Sequence, residues 1–115
     1  MIIHSNKRHL SLIPLPDLAA QIRQLSIQAI LFLNTRPMNP NYGSLLTALE
    51  NGKILIWSHH SLGGFKEEFN AIHMAGDSVC AMATDETNTY LFTGSVMGYV
   101  KTWLMTNYWL VLYLQ

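Results

Sequence analysis

Short apolar runs separated by polar breaks make up most of the chain after residue 26. The first run, residues 27–33 (IQAILFL), is apolar apart from one glutamine, and its pattern fits a buried strand as well as a buried helix. The short length of this run and the recurrence of similar runs favour strands. Further strands are predicted at residues 45–49, 54–57, 65–71, 79–84, 91–95 and 99–103.

The predicted strands recur as an internal repeat. Residues 44–57 (SLLTALENGKILIW) align with residues 90–103 (YLFTGSVMGYVKTW). The identities in this alignment pair Leu45 with Leu91, Thr47 with Thr93, Gly52 with Gly98 and Trp57 with Trp103. A period of roughly 40–45 residues is typical of the blades of a β-propeller. The first unit also contains residues 35–42 (TRPMNPNY), whose proline and asparagine content indicates a loop between two strands.

The second and third strands of each unit are predicted to form a hairpin. Asn51-Gly52 is a strong hairpin signal, because a two-residue turn of this kind needs positive φ at both positions. In the second unit Gly98 keeps the permissive position, and Met97 is a poor substitute for asparagine. The inner strands are apolar on both faces, which indicates sheets that are covered on both sides, as stacked blades are. The charges in residues 65–71 suit an exposed outer strand.

These elements divide the chain into a lead-in, a first blade, a second blade and an apolar end, at residues 1–26, 27–72, 73–108 and 109–115. Within the lead-in, residues 17–25 are either a short helix capped by Asp17 or the tail of a preceding blade. The apolar end is either a tail that is foreign to the repeat or the terminal strand of the second blade. The predicted fold is all-β, with two four-stranded antiparallel blades of an incomplete propeller after an irregular or helical lead-in.

Composition narrows the class of protein. Only 12% of the residues are charged, about half of the usual share, and seven basic residues balance seven acidic ones. Without a basic excess to neutralise phosphates, nucleic acid is not an expected partner. No apolar run reaches the ~20 residues that span a bilayer, so no integral membrane segment is expected. The single cysteine, Cys80, excludes an internal disulfide and favours a reducing, cytoplasmic location.

The two units resemble the WD-repeat family of β-propellers. The resemblance covers residues 26–108 and rests, in the second unit, on residues 79–83, 91–95 and 100–103 together with His73 and Gly98. Both units are most similar to the long, divergent WD-repeat proteins found with cilia and flagella, which makes a ciliary or flagellar association an expectation. The chain departs from the family after the tryptophan of each third strand, where Ser58 and Leu104 stand in place of aspartate.

The resemblance implies a set of structural repeat positions: Gly52, Trp57, His73, Ser95, Gly98 and Trp103. In the family a histidine, a serine or threonine, a turn aspartate and the tryptophan form a buried hydrogen-bond network. The second unit has His73, Ser95 and Trp103 but no turn aspartate, and the first unit has Leu49 in place of the serine. We therefore expect an incomplete network and a greater dependence on apolar packing, since an unpaired buried polar group is costly.

The resemblance also implies a function. Propellers of this family are non-catalytic scaffolds that bind other proteins on their rims, here through the loops at residues 35–42, 58–64 and 73–78. Because propellers typically have 4–8 blades, two blades are expected to be a fragment or a shortened isoform of a larger propeller, whose missing blades are partners of this chain. The alternative is a peripheral membrane or assembly element that uses the apolar residues 109–114.

Side chains with catalytic or metal-binding chemistry do not form a recognised motif. His59 and His60 are adjacent but have no carboxylate or cysteine at ligand spacing, so turn residues are expected there rather than a metal site. A small enzyme that uses His73 and Cys80 is a further alternative. We expect instead that His73 is structural and that Cys80 is a buried, inert thiol, and we expect no cofactor.

Overall fold

The computed structural model describes residues 26–106 and 111–114. The first sheet consists of β1 (Ile27–Phe32), β2 (Leu45–Leu49), β3 (Lys53–Ser58) and β4 (Gly64–Asn70). The second sheet consists of β5 (Val79–Thr84), β6 (Tyr90–Ser95), β7 (Val100–Met105) and β8 (Val111–Leu114). The described residues contain no helix, and the short helix proposed for residues 17–25 lies outside them.

Both sheets are antiparallel meanders in which every strand pairs with the strand before it in sequence. The prediction of an all-β fold with two four-stranded antiparallel sheets is therefore confirmed. The second sheet includes Val111–Leu114, part of the segment for which an apolar tail and a terminal strand were both considered. These residues pair with β7 along its outer edge.

The first strand of each sheet has an irregularity at the same place. The pairing of β1 with β2 shifts between Ile27 and Ala29, and the pairing of β5 with β6 shifts between Val79 and Ala81. The residue that this shift leaves unpaired in the second sheet is Cys80. A β-bulge of this kind bends the strand and increases its twist. The two sheets thus repeat each other in their irregularities as well as in their apolar residues.

The β2–β3 turn of the first sheet and the β6–β7 turn of the second each end in a glycine with a left-handed backbone. The N–H of Gly52 donates to the carbonyl of Leu49, and the N–H of Gly98 donates to the carbonyl of Ser95, each at 3.0 Å. The φ angle is 89° at Gly52 and 92° at Gly98. Among the described residues Asn88 is the only residue other than glycine with a positive φ. The residues at the centre of each turn therefore have ordinary, negative φ.

This geometry is a type I turn followed by a left-handed glycine, which makes a three-residue hairpin loop. The expectation of a two-residue turn with positive φ at both Asn51 and Gly52 was wrong. A type I turn accepts most side chains at its central positions, whereas the left-handed position selects glycine. Met97 is for this reason an ordinary turn residue and not a poor substitute for asparagine.

We expect alanine at Gly52 to destabilise the protein more than alanine at Gly98. Both substitutions place a Cβ on a left-handed residue, which costs about 1–2 kcal/mol. A Cβ at Gly52 would also lie 2.6 Å from side-chain carbons of Ile72, whereas nothing lies within 4 Å of a Cβ at Gly98. Moving Ile72 should cost a further ~1–2 kcal/mol. Urea unfolding of the two variants measures this difference, and equal losses would show that Ile72 makes no such contact.

Each sheet has a face that carries its tryptophan, called here the tryptophan face, and an opposite face. In the first sheet the tryptophan face carries Ile30, Phe32, Leu45, Thr47, Trp57 and Phe65, and the opposite face carries Leu31, Leu46, Ala48, Ile54, Ile56 and Phe69. In the second sheet the tryptophan face carries Met82, Leu91, Thr93, Lys101, Trp103 and Tyr113, and the opposite face carries Ala83, Phe92, Val100, Thr102, Leu104 and Leu112.

One apolar core joins the two sheets. The opposite face of the first sheet packs against the tryptophan face of the second, so that Leu46 and Ile54 belong to the same buried cluster as Leu91 and Trp103. The ring centroids of Phe69 and Trp103 are 4.8 Å apart across this contact. Full burial of one large apolar side chain contributes about 1.5–3 kcal/mol. The sheet-to-sheet contact therefore contributes several such burials to the stability of the pair.

The two remaining faces lie on the outside of the pair and are largely apolar. Ile30 on the tryptophan face of the first sheet is 64% exposed, and Val100 on the opposite face of the second sheet is 78% exposed. Phe32, Phe65 and Phe92 are exposed on the same two faces. Several exposed apolar side chains on one face are typical of an interaction site in soluble proteins.

Candidate functional site

Both tryptophans donate their indole N–H to a threonine on the neighbouring strand. Trp57 Nε1 donates to Thr47 Oγ1 at 2.8 Å, and Trp103 Nε1 donates to Thr93 Oγ1 at 3.0 Å. Trp103 is only 5% exposed, so its polar N–H needs such a partner. The network that was expected in the second unit had Ser95 as its hydroxyl group. The two threonines are aligned and identical in the internal repeat, and this identity is the sequence signal that could have identified them as the partners of the tryptophans.

Ser95 instead belongs to the hairpin turn at the end of β6. Its hydroxyl accepts a hydrogen bond from the N–H of Tyr99 at 3.1 Å. His73 is exposed, and its ring stacks on Tyr99 with 4.4 Å between the centroids. His73 and Ser95 thus both contact Tyr99, one at its ring and the other at its backbone, and no hydrogen bond among the described residues joins either of them to Trp103. The positions of Gly52 and Gly98, and of Trp57 and Trp103, are equivalent in the two sheets.

Asp77 supplies the acidic group that the β6–β7 turn itself lacks. This residue precedes β5 and is 2% exposed. Its Oδ1 accepts hydrogen bonds from the N–H of Ser78 at 2.8 Å and from the N–H of Met97 at 3.0 Å. Asp77 Oδ2 is buried and accepts no hydrogen bond from the described residues. Sequence analysis had considered only acidic residues inside the turn.

The environment of Asp77 favours its charged form. Desolvation on burial raises its pKa, but this effect is outweighed by the Ser95 hydroxyl, by the N–H groups of Met97 and Ser78 and by the positive charge of Lys101. The pKa of Asp77 therefore lies below its ordinary value. Since the folded state holds the proton less tightly than the unfolded state does, Asp77 adds stability above the unfolded pKa of about 3.9. That contribution is lost as the pH falls through the folded pKa.

We expect the Asp77→Asn variant to lose less stability on acidification than the unmodified chain. The reason is that the uncharged amide has no proton equilibrium to couple to folding. Urea unfolding midpoints measured from about pH 6 down to about pH 2 should fall more steeply for the unmodified chain below about pH 4. Glu86→Gln, which removes an exposed carboxylate from the turn at the other end of β5, is the charge-matched control. Identical acid profiles for Asp77→Asn and the unmodified chain would contradict the assigned role.

A polar clamp joins the two sheets at one rim. The loop after β1 approaches the β5–β6 turn, where Asn88 is 2% exposed and has a φ of 56°. Asn88 Oδ1 accepts from the N–H of Thr35 at 2.9 Å and from its hydroxyl at 2.6 Å. Asn88 Nδ2 donates to Thr84 Oγ1 at 2.8 Å, and the Asn88 carbonyl accepts from the guanidinium of Arg36 at 3.0 Å. We call Thr35, Arg36, Thr84 and Asn88 the blade clamp.

Asp85 shapes the turn that presents Asn88. Its Oδ1 accepts from the N–H groups of Thr89 and Tyr90 at 2.8 and 2.9 Å, and its Oδ2 accepts from the Thr87 hydroxyl at 2.8 Å. The hydrogen bond from the Tyr90 N–H is the largest cause that lowers the pKa of Asp85, and the bond from the Thr87 hydroxyl adds to it. A charged carboxylate that accepts several N–H groups is a common device for fixing a tight turn. The left-handed backbone of Asn88 follows from this arrangement.

The loops that were predicted to contact partners lie on two different rims. Residues 35–42 and 58–64 share a rim with the blade clamp, since Ser58 Oγ donates to the carbonyl of Asn39 at 2.8 Å. Residues 73–78 lie on the other rim beside the β6–β7 turn, since the N–H of Val96 donates to the carbonyl of Ser78 at 2.9 Å. Leu62 and Met38 are exposed on the clamp rim, and Met74, Val96 and Met97 are exposed on the turn rim. Each rim therefore offers apolar side chains to a partner.

The histidines near the clamp rim are part of the loop structure. Ser44 is fully buried, and its hydroxyl contacts Nδ1 of His59 and accepts the His59 backbone N–H at 3.1 Å. His60 Nδ1 accepts the N–H of Leu62 at 3.0 Å. A buried hydroxyl of this kind is closed to a substrate. In the part of the chain that the structure describes, no three histidine, cysteine or acidic side chains are grouped as a metal site requires.

Cys80 is exposed, and the expectation that its thiol is buried was wrong. The cause is the β-bulge between Val79 and Ala81, which takes Cys80 out of the regular alternation of the strand. The thiol lies 3.6 Å from the carbonyl of Gly94, whereas His73 stacks on Tyr99. The described contacts of Cys80 and His73 are thus with different residues.

Among the residues that the structure describes, there is no helix with the length and apolar character of a membrane span.

Comparison with curated proteins gives consistent relatives. The chain is 53% identical over 103 residues to the WD repeat-containing protein on Y chromosome of Anopheles gambiae, and these residues are 90% of the chain and 10% of that relative. It is 48% identical over 84 residues to the protein of that name in Drosophila willistoni, and 41% identical over 112 residues to the one in Drosophila mojavensis. These matches cover 73% and 93% of the chain and 8% and 9% of the relatives.

The chain thus spans about a tenth of the length of these curated relatives. No family model matches the chain, and no solved structure matches it either. The two repeated sheets, each closed by an equivalent tryptophan, agree with the repeats named in the relatives. Sequence identity and architecture together show that the chain belongs to the WD-repeat family.

Proposed function

We propose that the chain provides two adjacent blades of a larger WD-repeat propeller and serves as a non-catalytic segment of a protein-binding scaffold. The observation that carries this proposal is the contrast between the inner and outer faces of the pair. The opposite face of the first sheet is covered by the tryptophan face of the second, whereas the two outer faces carry exposed apolar side chains, such as Ile30 on one and Phe92 and Val100 on the other. Sheets that are apolar on both sides need neighbours on both sides. Further blades of the same propeller would supply them.

The rims are the surfaces on which we propose that other proteins bind. On the turn rim, Met74, Val96 and Met97 are exposed apolar side chains, and methionine adapts its shape to different partners. On the clamp rim, Leu62 is the most exposed large apolar side chain of the described residues, at 82%. Loops that a rigid scaffold holds in place are the usual carriers of binding function. The blade clamp and the Asp77 carboxylate hold these loops in place here.

A chimera tests whether the chain is a propeller segment. This chain would replace the aligned stretch of the Anopheles gambiae relative, which is 53% identical to it. We expect a soluble chimera that unfolds cooperatively, because the relative's own flanking residues would cover both outer faces. Val100→Glu in the chimera is the control, since a carboxylate buried between blades should destabilise it. A chimera that aggregates while the parent relative stays soluble would contradict the proposal.

The same chimera tests protein binding at the rims. Affinity capture would compare the unmodified chimera with a turn-rim variant, Met74→Glu with Met97→Glu, and with a clamp-rim variant, Leu62→Glu. All three positions are exposed, so the variants should keep the fold. We expect one rim variant to lose bound proteins that the other keeps. Identical sets of captured proteins from all three chimeras would contradict binding at these rims.

A further inference from the structure

The contact between the two sheets is a template for a second contact of the same kind. Inside the molecule, an opposite face packs on a tryptophan face, and Phe69 of the first meets Trp103 of the second at 4.8 Å. The two outer surfaces of the pair are of the same two kinds, one tryptophan face and one opposite face. One is the tryptophan face of the first sheet, with Trp57, and the other is the opposite face of the second sheet, with Phe92.

The two outer faces are suited to each other in chemistry. The opposite face of the second sheet carries no charged side chain at its strand positions among the described residues, and Phe92, Val100 and Leu112 are exposed on it. The tryptophan face of the first sheet has a single acidic position at its outer strand, Glu68, which pairs with Lys53 at 3.0 Å. Neither face would therefore bury an unpaired charge on contact with the other.

We propose that a second copy of this chain docks head to tail, with the opposite face of its second sheet on the tryptophan face of the first sheet of its neighbour. This inference rests on the proposed function, because it treats both outer faces as blade-packing surfaces. The two faces are different, so a two-fold symmetric contact would pair like with like and would not reproduce the internal contact. The head-to-tail contact is heterologous, and each copy keeps one face free for the next.

The test measures the mass of the full chain in solution over a range of concentrations, by analytical ultracentrifugation. The unmodified chain should form dimers and larger species as its concentration rises. Ile30→Glu blocks the tryptophan face of the first sheet, and Val100→Glu blocks the opposite face of the second. Both side chains are exposed within one chain, so both variants should keep their far-ultraviolet circular dichroism. Each variant alone should be monomeric at concentrations where the unmodified chain dimerises, because a carboxylate is costly to bury and should weaken self-association at least ~10-fold.

An equal mixture of the two variants is the decisive sample. The intact tryptophan face of the Val100→Glu chain can still take the intact opposite face of the Ile30→Glu chain, so the mixture should contain 1:1 heterodimers and nothing larger. Leu62→Glu, on the clamp rim, should leave self-association unchanged. If either variant fails to fold, Phe65→Glu or Leu112→Glu blocks the same face from an outer strand.

Three results would overturn the proposal: a monomeric unmodified chain, a variant that dimerises alone, or a mixture that stays monomeric. A monomeric chain that nevertheless folds within the Anopheles gambiae chimera would assign the two faces to blades of one polypeptide. That outcome would remove the self-association and leave the proposed function standing. A chimera that aggregates would instead contradict the proposed function, whatever the mass of the isolated chain.

Discussion

Replacing Trp103 with alanine is expected to lower the free energy of unfolding by about 3–5 kcal/mol. The same replacement at Trp57 should cost only about 1–2 kcal/mol, since less of its surface leaves water on folding. The two residues occupy equivalent places in their sheets, and both donate their indole N–H to a threonine. The comparison therefore removes most of the effect of losing that hydrogen bond, which is part-buried for Trp57 and buried for Trp103. The remaining difference reports the packing of the second sheet on the first.

The contacts of the two rings give the reason for this difference. Trp103 lies between Phe69 of the first sheet, at 4.8 Å, and Tyr113 of its own sheet, at 4.9 Å. The ammonium of Lys101 lies 5.8 Å from its centroid. The ring contact described for Trp57 is with Phe65 of its own sheet, at 5.6 Å, on an outer face.

Urea unfolding followed by far-ultraviolet circular dichroism measures both losses. The lowest usable protein concentration keeps Trp57 free of any neighbouring copy. Val96→Ala, a truncation at an exposed turn position, serves as the control for a change that touches neither face. Equal losses at the two tryptophans would mean that the sheet-to-sheet contact adds little stability, and the packing described for the core would have to be rejected.

Replacing Asn88 with alanine should lower the free energy of unfolding by about 2–5 kcal/mol. The substitution removes the acceptor for Thr35 and the donor for Thr84, and leaving such buried groups without partners costs about 1–3 kcal/mol. Alanine must also adopt the left-handed backbone of Asn88, at about 1–2 kcal/mol. Asn88→Gly separates the two effects, because glycine accepts this backbone but has no amide.

Asn51→Ala is the matched control for the clamp. Asn51 is also a turn asparagine, but the hydrogen bond from the Lys53 N–H to its side chain is exposed, so its loss should cost under ~1 kcal/mol. Urea unfolding should give the lowest free energy of unfolding for Asn88→Ala, a higher value for Asn88→Gly and the highest of the three for Asn51→Ala. Losses at Asn88 no greater than at Asn51 would show that the clamp does not hold the sheets together.

The strands and their stacking could be predicted from the sequence, whereas the partners of individual polar groups could not. Apolar runs of four to seven residues, repeated with their tryptophans in step, are local signals and do not depend on the register of distant segments. The choice between Thr93 and Ser95 as the partner of Trp103 depends on register, because both residues lie on the same face of β6. The identity of Thr47 with Thr93 was the available sign of the correct choice.

Contacts between distant residues account for the rest of what sequence analysis missed. Thr35 and Asn88 meet only because the two sheets pack, and nothing near either residue in sequence marks the other. Asp77 precedes β5 but contacts the turn that follows β6, about 20 residues later in the sequence. A search within that turn could not find it. Cys80 was expected to be buried because its neighbours are apolar, and a one-residue bulge reverses that inference.

The two hairpin loops place their whole conformational requirement on one residue each, Gly52 and Gly98. The central positions before these glycines have ordinary backbone angles and so tolerate almost any side chain. Randomising Val96 and Met97 should therefore give libraries in which nearly every member folds. The binding surface of the turn would change while the two sheets stay the same. The protein would in this way serve as a display framework in which the two positions before each loop glycine are varied and the glycine is kept.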